Sequence, residues 1–242
     1  MKEIKTGCSG FYNSHWKEVF YTAGLPQGKW FEFYAEQLDS LELNVTFYQF
    51  PTADKLQKWY ARSPDNFTFA VKAPRAITHY RKLTDCNEML HDFYAACRQG
   101  LKEKLGCLLF QFPPSFVYTP ENLILILKSM KPGFKNVVEF RHPGWWNKEV
   151  YNLLEINNII FCSVDHPDLP DETVINSSTA YIRLHGNPKL FHSDYSIEQL
   201  TRLCYTLHHS DKLKEAYVFF NNTAGSAGIL NAQEFNKMAE TG

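Results

Sequence analysis

The chain has 242 residues, of which 44% are hydrophobic and 21% charged, and its formal net charge is −1. That balance supplies an ordinary globular core and excludes a highly charged disordered chain; it gives no overall attraction to nucleic acid or to an anionic membrane. No uninterrupted apolar run approaches the ~20 residues of a membrane helix.

The first residues, Met1-Lys-Glu-Ile-Lys-Thr-Gly7, carry no apolar core of a secretory signal, so a cytoplasmic protein is expected. Cys8, Cys86, Cys97, Cys107, Cys162 and Cys204 are widely spaced, with no CxxC pair, and read as free buried thiols. Four Asn-X-Ser/Thr matches, such as Asn44-Val-Thr46, are taken as chance in that setting.

Short β-rich runs alternate along the chain with amphipathic stretches. Ile4–Ser9 is the first run, followed by a helical stripe of Trp30, Tyr34, Leu38 and Leu41. Leu41–Tyr48 is the second run; it alternates Glu42, Asn44 and Thr46 against Leu41, Leu43 and Val45. Phe67–Lys72 is the third, and the stripe Phe93, Cys97, Leu101, Leu105 then predicts a helix. Cys107–Phe112 precedes Thr119-Pro120-Glu121, which offers an N-cap, a Pro at the first helical position and an early acid. Asn136–Arg141 places Glu139 and Arg141 on one face, two residues apart, and Asn147 is a candidate cap beyond it. Ile159–Asp165 leads into a polar, Pro-containing segment, His166 to Ser178, that reads as irregular. Thr179–His185 carries Arg183 and His185 opposite Ile182 and Leu184. Ser196-Ile-Glu-Gln199 has capping-box spacing, and Ala216–Asn221 is the eighth run.

Eight β-runs alternating with helices imply a parallel sheet. An open doubly wound sheet would bury its strands on both faces and make them apolar throughout. These strands instead turn polar at period two near their C-terminal ends. The expectation is therefore an α/β fold, a single-domain (β/α)8 TIM-type barrel over residues 1–242, with the polar strand ends facing the axis at the mouth.

The combination of Gly7-Cys-Ser-Gly10, Glu42-Leu-Asn-Val-Thr-Phe-Tyr48, Phe69-Ala-Val-Lys-Ala-Pro74 and Thr78-His79 continues with Phe110-Gln-Phe-Pro-Pro114 and Val138-Glu-Phe-Arg141 with Trp145. Arg183-Leu-His-Gly186 and Phe220-Asn-Asn222 complete it. Eight such motifs in order over almost the whole chain resemble the YecE-like (DUF72) family of domains of unknown function. That resemblance implies a TIM-barrel-like fold and brings no established reaction. The chain departs from the family pattern at Gly144, where that pattern has Ser before Trp145, and in Asn222–Gly228, which lacks an acidic residue.

Buried unpaired charges cost several kcal/mol each, so the strand-end residues must pair with one another or bind something. Arg141, Arg183, Lys72 and His185 suit a phosphate or carboxylate, and Glu42, Glu139 and Asp165 are the acid/base candidates. Asn44, Gln111, Tyr48 and Asn221 are candidate orienting groups. The leading expectation is an enzyme, a hydrolase or isomerase, acting on a small anionic substrate without metal or cofactor. Two alternatives stand beside it: a metal-assisted phosphodiester or nucleic-acid-handling barrel, which is less favoured, and a non-catalytic module whose Glu–Arg pairs close the mouth. The oligomeric state is not encoded in any of these features.

Overall fold

β1 (Glu3–Cys8), β2 (Ser40–Leu43), β3 (Thr68–Lys72), β4 (Leu105–Gln111), β5 (Lys135–Glu139), β6 (Ile159–Asp165), β7 (Thr179–Leu184) and β8 (Glu215–Phe220) pair in chain order, all parallel. β8 returns to pair with β1, closing an eight-stranded barrel. The computed structural model describes residues 2–241.

Helices α1 (Trp30–Gln37), α2 (Val45–Tyr48), α3 (Ala53–Arg62), α4 (Asn87–Leu101), α5 (Pro120–Ser129), α6 (Lys148–Ile156), α7 (Ile197–His209) and α8 (Ala227–Thr241) fall between and after the strands. The caps read from sequence form as expected. Thr119 accepts from Asn122 N, Asn147 from Val150 N, and Ser196 and Gln199 bond each other's backbone in a full capping box. Each satisfies N–H groups that the first helical turn leaves without partners. All six cysteines are free and buried. No helix among the described residues is long and apolar enough to cross a membrane.

Two segments depart from a plain β/α alternation. The second β-run ends at Leu43 instead of Tyr48. Asn44 takes an αR backbone (φ −92°, ψ −14°), and the next four residues wind into the single turn α2. Thr46 holds this turn: its single hydroxyl proton is shared between Leu43 O (2.8 Å) and Lys72 O (2.6 Å). Between β6 and β7 there is no helix among the described residues. Residues 166–178 instead run along β6, held by Ser163 Oγ on the Val174 backbone and by Asn176, which accepts from Phe161 N and donates to Ile159 O.

Side-chain alternation sorts the strands into two packed layers. Leu41, Leu43, Phe69, Val71, Leu108, Phe110, Val138, Phe161 and Phe220 face the helices. Ala70, Cys107, Leu109, Val137, Ile160, Cys162, Val164, Tyr181, Tyr217 and Phe219 fill the barrel axis as a separate cluster. The interior is therefore apolar through its middle and polar at the mouth. Outside β5, Trp145 stacks on Phe140 (centroids 3.9 Å apart) and donates to Phe116 O (2.7 Å), which anchors the end of the strand that bears Glu139.

The thinnest seam is between β1 and β2, where only Gly7↔Ser40 and Cys8↔Leu41 are in register. Buried Tyr34 stitches it, its hydroxyl accepting from Cys8 N (2.7 Å) and donating to Ser40 O (2.9 Å). Gly7 has no room for a side chain there, since a Cβ would lie 2.2 Å from Ser40 O. Tyr34→Phe leaves a buried donor and acceptor unpartnered and is expected to cost about 2 kcal/mol, read as a lower urea midpoint at unchanged slope.

Candidate active site at the barrel mouth

The axial face at the C-terminal end of the barrel collects Glu42 from β2, Lys72 from β3, Gln111 from β4, Glu139 from β5 and Arg183 from β7. Arg141 and His185 come from the residues just beyond β5 and β7, and Asn221 from just beyond β8. Arg183 is at the centre and only 1% exposed. It grips Glu42 with two parallel bonds, Nε to Oε2 at 2.9 Å and Nη2 to Oε1 at 2.6 Å. Its remaining fork position, Nη1, reaches Glu139 Oε2 at 2.6 Å, and Nη2 also approaches Ser9 Oγ at 3.4 Å. The hydroxyl of Tyr181 donates to Glu42 Oε2 at 2.7 Å.

Glu139 is shared. Its other oxygen accepts from Arg141 Nε at 2.6 Å, and His185 Nε2 lies 3.6 Å from it. Burial opposes the charge on Glu139, but Arg141 and Arg183 override it and hold the carboxyl well below the usual range. A carboxylate held this firmly ionised is a weak base and no acid, so it supplies fixed charge in place of proton transfer.

His185 is fully buried, and burial pushes its pKa down to about 3, so it is a neutral imidazole. Arg141 Nη2 lies 3.0 Å from Nε2, and a guanidinium can only donate. The ring proton is therefore on Nδ1; the Asn221 group 2.6 Å from that nitrogen is its amide Nδ2, so the amide must be turned over to present its oxygen there. The cationic His185 of the four-cation cluster expected from sequence is thus corrected: the ring accepts from Arg141 and orients it.

Lys72 differs from its neighbours. Its ammonium is 4.3 Å from the centre of the Phe47 ring and makes no hydrogen bond or ion pair among the described residues. Phe47 is in turn packed edge-on against His79 (4.9 Å). Burial, followed by the repulsion of Arg183, lowers the Lys72 pKa to about 8. Burial and the charge of Lys72 lower His79 to about 4, so His79 too is neutral near pH 7.

The other expected site residues divide. Gln111 is in register with Glu139 on the same face and donates to Phe112 O at 3.4 Å. Asn44 donates to Ser9 O at 3.3 Å, while its Oδ1 is buried without a partner. Tyr48, expected on a strand, lies on α2 and is 68% exposed, with Phe47 and Arg75 against its ring. Asp165 does not join the ring. Cys162 and Val164 occupy the axial face of β6, so alternation turns Asp165 outward, where it accepts from Asn187 Nδ2 (3.1 Å). There it lines a cavity of about 310 Å³ with Asp171, Glu172, Tyr195 and Arg202. Tyr181 and His166 were missed as members of the mouth. Counting by two from Arg183 and from Val164 would have found both; the rings of His166 and His185 are 6.0 Å apart. Among the described residues no group of three or more His, Cys, Asp or Glu side chains is arranged to hold a metal.

A family model described as "Protein of unknown function DUF72" matches residues 5–242. The chain belongs to the DUF72 family. A DUF72 protein of Thermotoga maritima MSB8 superposes with a TM-score of 0.88 at 29% identity, covering 98% of this chain and 99% of that one. A second, from Enterococcus faecalis V583, has a TM-score of 0.82 at 20% identity, covering 100% of this chain and 99% of that one, and speaks for the fold alone. Among curated relatives, the UPF0759 protein YunF of Bacillus subtilis is 22% identical, covering 86% of this chain and 85% of YunF. The UPF0759 protein YecE of Escherichia coli K12 is 30% identical over 138 residues, covering 52% of this chain and 50% of YecE. The family resemblance and the barrel expected from sequence are thus both found, whereas none of these proteins' names states a substrate.

Two expectations follow for this DUF72 mouth. Glu139→Gln leaves Arg141 and Arg183 short of a carboxylate and is expected to destabilise by about 3–5 kcal/mol in denaturant titrations. The second concerns acid. His185 takes a proton near pH 6.5 when unfolded but only near 3 when folded, so the unfolded chain binds more protons across that window. Stability from this group is complete above pH 6.5 and falls as pH drops toward 3. His79, at about 4, adds the same slope, and Glu139 adds a further loss below 4.5; Asp39, raised to about 6 by burial, works in the opposite sense between 6 and 3.8. The double variant His79→Gln/His185→Gln is therefore expected to lose stability less steeply than wild type between pH 6.5 and 4.5, measured by thermal unfolding across the series.

Proposed function

We propose that the mouth of this DUF72 barrel is an active site for a small anionic molecule, phosphorylated or carboxylated, with Lys72 as its electrostatic anchor. The observation that carries the reading is the uneven pairing of charge. Glu42 and Glu139 are both consumed by Arg183 and Arg141, whereas Lys72 has only an aromatic face beside it. Two carboxylates facing three cations leave a net positive charge, and Lys72 is the one cation among these residues that forms no ion pair with either carboxylate. A half-buried cation without a counter-ion attracts an anion more strongly than the same charge in water.

The arginines expected to clamp the anion act one step back: they hold the glutamates, and the pairs together fix the positive potential around Lys72. Proton transfer falls to groups that are neutral near pH 7 and stand by the mouth. These are His79, beside Phe47, and His166, whose pKa is lowered by burial and by Arg141. Glu42 and Glu139 keep the electrostatic part of the role expected for them, and Asp165, on the outer face, is assigned none.

Inorganic phosphate and pyruvate, titrated at low ionic strength, test this reading by thermal shift and calorimetry. Wild type is expected to be stabilised by at least one of them and Lys72→Met to lose at least about tenfold in affinity, the worth of one buried charge contact. Lys128→Met, on the exposed face of α5, is expected to bind as wild type does. Equal affinities in wild type and Lys72→Met overturn the placement of the site.

A further inference from the structure

We infer that Lys72 is a catalytic nucleophile that condenses with the carbonyl group of a small 2-oxo carboxylate, an inference that rests on the anion-binding reading of the mouth. Its geometry is unlike that of a structural lysine. It ends β3 on the axial face, half-buried, with its own carbonyl held by Thr46 Oγ1 at 2.6 Å. The strand end is therefore fixed while the ammonium is left without hydrogen bonds among the described residues. By contrast, Lys104, the buried lysine on the outside of the barrel, is tied by three bonds, to Tyr60 O, Ser63 O and Ser63 Oγ.

The charged and titratable groups acting on Lys72 come from every side of the mouth. Arg183 on β7 and Arg141 after β5 repel its charge, Glu139 on β5 and Glu42 on β2 favour it, and His79 beyond β3 is neutral. Burial and Arg183 prevail and bring the amine to about 8. Near pH 7 roughly a tenth of it is then unprotonated, against roughly one part in a few thousand for an ordinary lysine. Only the unprotonated amine attacks a carbonyl, and lysines desolvated beside another cation are activated in this way.

The step balances without any further reactant. The Nζ lone pair attacks the carbonyl carbon, a C–N bond forms, and the C=O π pair moves to oxygen. Loss of that oxygen leaves an iminium. Counting from the ammonium, two of its three protons depart with the oxygen as water and the third stays on nitrogen, so the positive charge is conserved. A carboxylate on the adjacent carbon keeps its counter-charge throughout, which is why a 2-oxo acid fits better than a neutral aldehyde. His79, neutral near pH 7 and packed edge-on against the Phe47 ring that Lys72 also faces, is assigned the transfer of protons between nitrogen and oxygen.

Pyruvate with sodium cyanoborohydride at pH 7 tests the inference, read by intact mass and peptide mapping. One reduced adduct is expected, on Lys72, formed at least about tenfold faster than on the exposed Lys128. Lys72→Arg, which keeps the charge and is checked for folding by circular dichroism, is expected to lose that adduct while still binding phosphate. Labelling of Lys72 no faster than Lys128, or an undiminished adduct in Lys72→Arg, overturns the nucleophile. If phosphate or pyruvate still stabilises wild type in that event, the anion site stands and only the covalent step falls; if neither gives stabilisation, both fall.

Discussion

A guanidinium buried at the top of the barrel is the constraint around which the mouth is built. Arg183 cannot lose its proton, and at 1% exposure it cannot be solvated, so the charge must be answered by protein groups. Glu42 answers from β2 and Glu139 from β5, so one side chain ties three strands that are not neighbours in the sheet. Arg141, Tyr181, Ser9, His185 and Asn221 then take up most of the remaining donors and acceptors of these groups. Removing one member exposes the rest to an unpaired charge, which makes the network act as a unit.

Such a network is a poor source of chemistry and a good source of field. Glu139, paired with both Arg141 and Arg183, stays ionised near neutrality, and Arg183, which answers two carboxylates, has little left to offer a ligand. What the network does provide is a rigid patch of net positive potential beside Lys72. The lowered pKa of that lysine comes from its surroundings: burial and then Arg183 depress it, Phe47 covers one face, and Thr46 holds the strand behind it. A closed structural network and an active site are therefore compatible in one mouth, the first acting as the support of the second.

Much of this was legible from the order of residues. Eight β-runs, their polar C-terminal ends and the capping signals led to the closed parallel barrel, and period-two spacing put Glu139 with Arg141 and Arg183 with His185 on one face. The misreadings have a common cause. Asp165 ends a strand in sequence, but its parity selects the outer face, because Val164 holds the axial position. Tyr48 belongs to an alternation that continues past Leu43 in sequence, although the backbone turns helical there, where Thr46 Oγ1 reaches two carbonyls.

The sequence by itself determined the fold class, the closure number and most of the polar side chains that meet at one end, because hydrophobic periodicity and strand polarity are local properties. Which charge pairs with which was decided only by tertiary structure. Pairing depends on distances across the barrel between strands far apart in the chain, and on desolvation that exists only once the barrel has closed. That is why the sequence showed Lys72 as one of four cations, and the fold made it the one left without an anion.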